Sequence, residues 1–316
     1  MPALVFDLGG TFLRCAVTRG VSTHCILKQR IETFLDGLSP DEVASRIANR
    51  ISDYVESFRD SVNKTDPMIV AFPGPVENGR VALSAPTLYG RTNGHLPDLA
   101  ARLHDRTGRR VHMLNDVSAA AWGLSARTEA QRFLVVTVSS GIGSKLFDRT
   151  NPRGVLDDPS FAGEIGHFVV DPSPNALLCD CGGRGHLGAI ASGRGVERMA
   201  RQIRKDESLT NERQIVPAIL QGESWALEIL GLSMQPLVHT LLGVTMAVGL
   251  DKVFIIGGFA QSVGLLYEKL LNDLVVANSR YGVLEERLNN FVELVSADEE
   301  LCLSGAAYYA AGLGIS

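Results

Sequence analysis

Between positions 163 and 186 the chain gathers His167, Cys179, Cys181 and His186. Thiolate and imidazole are the donors Zn²⁺ prefers, and four of them so close in sequence suit a closed tetrahedral site that ties down a loop. Two other stretches are built to approach phosphate. Asp7-Leu8-Gly9-Gly10-Thr11 puts a carboxylate at the end of an apolar strand, then a turn without side-chain bulk, then a hydroxyl. Glycines let backbone N–H groups close on phosphate oxygens, Thr11 can donate to them, and Asp7 is placed to hold Mg²⁺ directly or through water. The plain alternative is an ordinary hairpin turn. Ser139-Ser140-Gly141-Ile142-Gly143-Ser144 is a second loop of the same kind, and Gly257-Gly258 after the apolar run Val253-Phe254-Ile255-Ile256 allows close approach to a nucleoside. Taken alone, that dipeptide reads equally well as a strand-to-helix turn.

Asn115-Asp116 stands where a strand over 110–114 passes into a helix. An aspartate there can simply cap the helix. Its chemical use is as a general base: Asp116 accepts the proton of an attacking hydroxyl while Asn115 orients the substrate. Phosphoryl transfer is mostly alignment and charge neutralisation, so one placed carboxylate, two donor loops and Mg²⁺ suffice. Phe72-Pro73-Gly74-Pro75-Val76 is a rigid turn after a strand, and Gly74 suits a wall of the substrate site.

The elements that must hold these residues follow from periodicity. Strands are expected over 3–10, 13–19 and 25–31, then over 68–72 and 110–114, with a helix over 117–126. Ser39-Pro40-Asp41-Glu42 carries a cap, a proline at the first helical position and acids in the first turn. Shifting the chain by 130 positions lays Leu4–Thr11 over Leu134–Gly141. Both are apolar strands that end in a small-residue turn, a period that signals duplicated domains. Helices are expected over 193–205, 212–220, 225–248 and 303–312, and loops over the cleft at 150–163 and 171–185. The mixture is α/β, a mixed sheet with helices packed on it. Domains are expected at 1–116, completed by 301–316, and at 117–300.

Bulk properties narrow the classes. The 316 residues carry a formal charge of −5, which disfavours nucleic acid or an anionic membrane as partner. The N-terminus has no basic n-region, and no uninterrupted apolar run reaches the roughly 18 residues of a membrane span. Of five cysteines, Cys15, Cys25 and Cys302 read as reduced core residues of a cytoplasmic protein.

Together these segments resemble the ROK family of bacterial sugar kinases, within the actin-like (hexokinase/Hsp70, ribonuclease H-like) ATPase superfamily, from Asp7-Leu8-Gly9-Gly10-Thr11 to Ser304-Gly305-Ala306-Ala307. The most specific piece is Gly163-Glu164-Ile165-Gly166-His167 followed by Cys179-Asp180-Cys181-Gly182. The resemblance implies two duplicated domains around a central cleft and transfer of the γ-phosphoryl group of MgATP to a sugar hydroxyl, usually the C6 hydroxymethyl. It makes Asp116 the base and Asn115, Glu164 and His167 sugar ligands, with Gly74 and Thr87 beside them. It makes Asp7, Gly9, Gly10, Thr11, Ser139, Ser140, Gly141, Gly257 and Gly258 the ATP site, with Asp7 toward Mg²⁺. His167, Cys179 and Cys181 are zinc ligands by the same likeness, and a homodimer is expected. Where the family has Gly-Cys-Leu-Glu, this chain has Gly185-His186-Leu187-Gly188. His186 keeps a donor at the fourth zinc position, whereas Gly188 removes a carboxylate that in the family accepts hydrogen bonds near sugar C1. Ser139 in place of Gly and Thr87 in place of Asn shift the pocket further. The expected substrate is therefore a modified sugar, an amino sugar or a C7-cyclitol. The alternatives are an ordinary glucokinase and a non-catalytic sugar-sensing regulator, the latter disfavoured by the negative charge and by Asp7, Thr11 and Asp116.

Overall fold

The computed structural model describes residues 2–77, 80–81, 85–90, 96–157, 159, 161–279, 287–288, 290–296 and 300–312. The chain divides into two compact units: Met1–Glu129 with Thr150–Ala162 and Glu299–Ser316, and Ala130–Arg149 with Gly163–Asp298.

In the first unit, β1 (Pro2–Leu8), β2 (Phe12–Arg19) and β3 (Ser22–Arg30) form an antiparallel meander, and β1 continues in parallel to β4 (Met68–Phe72) and β7 (Val111–Asn115). The strand order is β3-β2-β1-β4-β7, and β5 (Val76–Glu77) with β6 (Arg80–Val81) makes a separate small hairpin. β1 and β4 are buried along almost their whole length, as strands covered on both faces must be. Helix α1 (Pro40–Ser57) packs Val43, Ile47 and Ile51 on one face; Ser39 and Glu42 close its start as a reciprocal capping box. Three more helices follow, α2 (Pro86–Tyr89), α3 (Leu99–Thr107) and α4 (Asp116–Ser125).

The expected boundary at 116/117 is moved by α4. That helix packs against the C-terminal helix Leu301–Gly312 through small residues: a Cβ on Gly305 would run into the Ala119 carbonyl, and one on Gly123 would lie 2.6 Å from the Leu301 carbonyl. The Ser118 hydroxyl also donates to Asp157 at 2.8 Å, which ties the segment Thr150–Ala162 to the first unit. Gly305→Ala should therefore destabilise the protein by about 2 kcal/mol, the overpacking cost of about 3 reduced by the ~1 that alanine gains in a helix. The denaturant midpoint reads this, and an unchanged midpoint would show that the two helices separate without cost.

The second unit repeats the plan. β8 (Arg132–Val138) pairs antiparallel with β9 (Ile142–Asp148) and parallel with β10 (Lys252–Ile256), which pairs with β11 (Val292–Leu294). β8 lies 130 positions beyond β1 at both ends, so the internal echo is a structural duplication. The helices are α5 (Leu187–Ala191), α6 (Gly193–Arg204), α7 (Val216–Leu220), α8 (Ser224–Val248), α9 (Gly258–Val263) and α10 (Leu265–Asn278). The single helix expected over 212–220 is divided: residues Asn211–Ile215 form a wider turn, and α7 begins beside Pro217. By length and composition α8 could cross a membrane, yet Ile229, Leu230, Met234, Leu237, Val238 and Leu241 are buried in the unit's core.

Candidate active site

In the first unit, the candidate residues collect at the carboxyl ends of parallel strands, where open α/β sheets bind ligands. Leu8, Phe72 and Asn115 end β1, β4 and β7. Asn115 is the N-cap of α4: its Oδ1 accepts from Val117 N (3.0 Å) and Ser118 N (3.2 Å), and its Nδ2 donates to the Gly74 carbonyl at 2.9 Å. One amide thus fixes both the helix start and the Gly74 turn, leaving its second Nδ2 hydrogen for a ligand. Asp116 is the first helical residue, half-buried, in the positive field of the α4 N-terminus. Its Oδ1 accepts from Val117 N at 2.9 Å.

The Gly9-Gly10-Thr11 turn closes the β1–β2 hairpin, with Gly9 N donating to Phe12 O at 2.9 Å and Thr11 exposed. A Cβ on Gly10 would sit 3.3 Å from that of Thr87, so Thr87 lies beside this turn. Asp7 is nearly buried and opposes Arg14 in the hairpin register; Arg14 Nη1 donates to its Oδ2 at 3.0 Å. Burial pushes the Asp7 carboxyl up from its ordinary value, and Arg14 counters that. Arg14 is not among the residues that the sequence motifs single out. It engages Oδ2, so Asp7 would reach Mg²⁺ through Oδ1 or through water.

In the second unit three backbone turns adjoin. Gly193 N donates to Ser139 O at 2.8 Å, joining the start of α6 to the β8–β9 tip of Ser139, Ser140 and Gly141. Gly257 has φ +105°, and a Cβ there would come within 2.7 Å of the Val138 backbone. Gly258 opens α9 beside Ser139. Gly257 must be glycine on both counts, conformational and steric.

The Gly163–His167 stretch lies against β9. Cβ atoms on Gly163 and Gly166 would overlap the carbonyls of Ser144 and Ile142, two residues apart on that strand, and Ser144 Oγ donates to Gly163 O at 2.6 Å. The two glycines therefore let Glu164 and His167 be presented from a segment pressed onto a sheet edge. Burial raises the Glu164 carboxyl, opposed by Lys145 and then His167. A Cβ on Gly188 would meet the Gly166 carbonyl at 3.2 Å, so position 188 borders the same stretch.

His167, Cys179, Cys181 and His186 come together as the sequence predicts, with all four ligand atoms within 4.8 Å of one another. The two Nδ1 atoms are 3.3 Å apart, Cys181 Sγ is 3.2 Å from His186 Nδ1, and Cys179 Sγ is 4.0 Å from His167 Nδ1. With Zn–N of about 2.05 Å and Zn–S of about 2.3 Å, tetrahedral edges are roughly 3.3 Å for N–N and 3.6 Å for N–S. The donors fit Zn²⁺. Both histidines turn Nδ1 inward, which leaves His167 Nε2 for another partner. Gly183 is required here, because a Cβ on it would overlap the His186 ring. Burial pushes the Cys179 thiol up, a penalty a bound dication removes. Asp180, between the cysteines, accepts from Arg194 (2.6 Å) and Arg198 (2.8 Å) and so anchors the loop to α6. Burial opposes its ionisation, but the two guanidiniums leave its carboxyl below the ordinary value.

Comparison with known proteins places this geometry. The ROK family model matches residues 4–311. A C(7)-cyclitol 7-kinase of Streptomyces hygroscopicus subsp. jinggangensis is 34% identical over 98% of this chain and 93% of its own. An N-acetylmannosamine kinase of Haemophilus influenzae is 26% identical over 86% of each chain. Among solved structures, the ROK hexokinase of Thermus thermophilus superimposes with a TM-score of 0.75 at 23% identity, over 98% of this chain and 97% of the other. The duplicated strand plan is the actin-like ATPase fold that such structures share.

Proposed function

The chain belongs to the ROK family and is a sugar or cyclitol kinase, and we propose that it transfers the γ-phosphoryl group of MgATP to the exocyclic hydroxymethyl of a C7-cyclitol. The observation that carries the cyclitol reading is the 34% identity to a C(7)-cyclitol 7-kinase across nearly the full length of both chains. Gly188, where the family pattern carries glutamate, agrees with an acceptor altered at the end opposite the reacting hydroxyl.

Asp116 takes the hydroxyl proton as the oxygen attacks the γ-phosphorus; the bond from that phosphorus to the bridging oxygen breaks, ADP departs, and Asp116 returns its proton to water. Asn115 holds Asp116 and the Gly74 turn in register. Glu164 and His167 accept from or donate to ring hydroxyls, and Thr87 lines the acceptor or phosphate side of the Gly10 turn. The Gly9-Gly10 turn, through the Gly10 N–H and the Thr11 hydroxyl, receives phosphate oxygens, the Ser140 and Gly141 N–H groups and the Ser139 hydroxyl do the same from the second loop, and Gly257-Gly258 backs the nucleoside. Asp7 would hold Mg²⁺, which when bound would supply charge neutralisation on the phosphates. His167 would be held through Nδ1 when zinc is bound, which would leave its Nε2 to meet a hydroxyl. A cytoplasmic homodimer completes this reading.

A kinetic panel of C7-cyclitols, amino sugars and glucose tests it: the cyclitol should give the largest kcat/KM, and a far larger value for glucose would refute it. Gly188→Glu should raise kcat/KM for glucose about tenfold relative to the cyclitol, since one hydrogen bond to a carboxylate contributes about 1.5 kcal/mol. An unchanged ratio would show that position 188 does not face the acceptor.

A further inference from the structure

Three segments of the second unit meet at Gly193, the residue that opens α6. Its N–H donates to the Ser139 carbonyl at 2.8 Å, and a Cβ on it would lie 2.9 Å from that carbonyl and 3.1 Å from Phe259 on α9. The Gly193 carbonyl is engaged as well: Asn211 Nδ2 donates to it at 2.6 Å. Only the NH₂ side of an amide can face a carbonyl, so this contact sets the orientation of the Asn211 side chain. A second bond ties Asn211 to the same helix one turn further on, where its backbone N–H donates to Glu197 Oε2 at 3.0 Å. Glu197 pairs in turn with Arg201 at 2.7 Å, and Arg201 Nε donates to Leu209 O at 2.8 Å. Asn211 thus brackets the first turn of α6. It also begins the wider turn Asn211–Ile215, a geometry that recurs at functional sites. Stability does not account for the amide. Its Oδ1 is buried and meets no donor among the described residues, a cost that an apolar side chain of similar shape would avoid. The Gly193 carbonyl, at the head of α6, would keep its intrahelical donor without it.

We propose that Asn211 is a positioning residue of the nucleotide site: by holding Gly193 it fixes the N–H that anchors the Ser139 carbonyl, and so presets the β8–β9 tip for the phosphates of ATP. This rests on the reading of Ser139, Ser140 and Gly141 as a phosphate loop given above. The tip is tight, with Ser139 N donating to Gly141 O at 3.0 Å, so a shift of Ser139 carries Ser140 and Gly141 with it. Backbone donors serve a phosphate best when they already point at it, because ordering them on binding subtracts from the affinity. Nucleotide affinity therefore depends on Asn211. Acceptor affinity does not, since the proposed acceptor residues Asn115, Asp116, Glu164 and His167 lie on other segments.

Calorimetric binding of MgAMPPNP, a non-hydrolysable form of MgATP, tests this on the whole chain, together with steady-state kinetics and melting midpoints. Asn211→Leu should weaken MgAMPPNP binding and raise the KM for ATP about tenfold, with the KM for a C7-cyclitol within about twofold of wild type. Its melting midpoint should stay within about 3 °C of wild type. Asn211→Asp, isosteric but without a donor for Gly193 O, carries the same nucleotide expectation should the leucine variant not fold. Gly193→Ala reaches the tip by a second route, its Cβ displacing Ser139 O, and should weaken MgAMPPNP as well. MgAMPPNP binding within about twofold of wild type in the folded Asn211 variants, or equal rises in KM for both substrates, would overturn the proposal. If Gly193→Ala still weakens MgAMPPNP in that case, the phosphate-loop reading survives and only the role of Asn211 falls. Wild-type affinity for MgAMPPNP in the Asn211 and Gly193 variants alike would overturn both the loop reading and the proposal.

Discussion

Asp116→Asn should lower kcat roughly a thousandfold or more, the upper part of the range for removing a general base. The substitution is nearly isosteric, and the side-chain oxygen that accepts from Val117 N can be kept. The N-cap of α4 belongs to Asn115, so the helix start should survive. The KM values for acceptor and ATP should therefore stay within about threefold, which confines the loss to the chemical step. Turnover near wild type would remove Asp116 from its role, and a large rise in both KM values would point to a collapsed site.

The second large effect concerns the metal loop. His167 and His186 are 19 positions apart, so a shared ion cross-links a loop of about twenty residues, and such a closure contributes about 3 kcal/mol on chain-entropy grounds. Chelation, or His186→Ala, should lower the melting midpoint by about 5 °C for a chain of this size. On the proposed reading, in which a bound ion would orient His167, acceptor KM should rise tenfold or more, with ATP KM little changed. Zinc content by emission spectroscopy should read one ion per chain, falling on chelation. A chain without bound zinc that melts at the same temperature would show that the four donors are not a metal site.

Much of this was legible because the signals were local. The strand Met68–Phe72, the helix start at Ser39 and the 130-residue echo each rest on periodicity or on a few adjacent residues. The four zinc-type donors were visible as a spacing, although their inward Nδ1 geometry was not. What stayed hidden depends on pairs far apart in sequence. The boundary at 116/117 was misplaced because Ala119, Gly123 and Gly305 look unremarkable until two helices meet through them. Helices α3 and α10 were passed over, as their apolar stripes are short or flanked by charge. Arg14 opposite Asp7 could have been found by counting outward from the Gly9-Gly10 turn, since hairpin register pairs those positions.

The central claim is tested most directly by phosphorus NMR of the wild-type chain with MgATP and a C7-cyclitol. The account predicts one new phosphomonoester, coupled to the two protons of a methylene carbon and formed in step with ADP. ADP without an ester, or an ester coupled to a single ring proton, would contradict it.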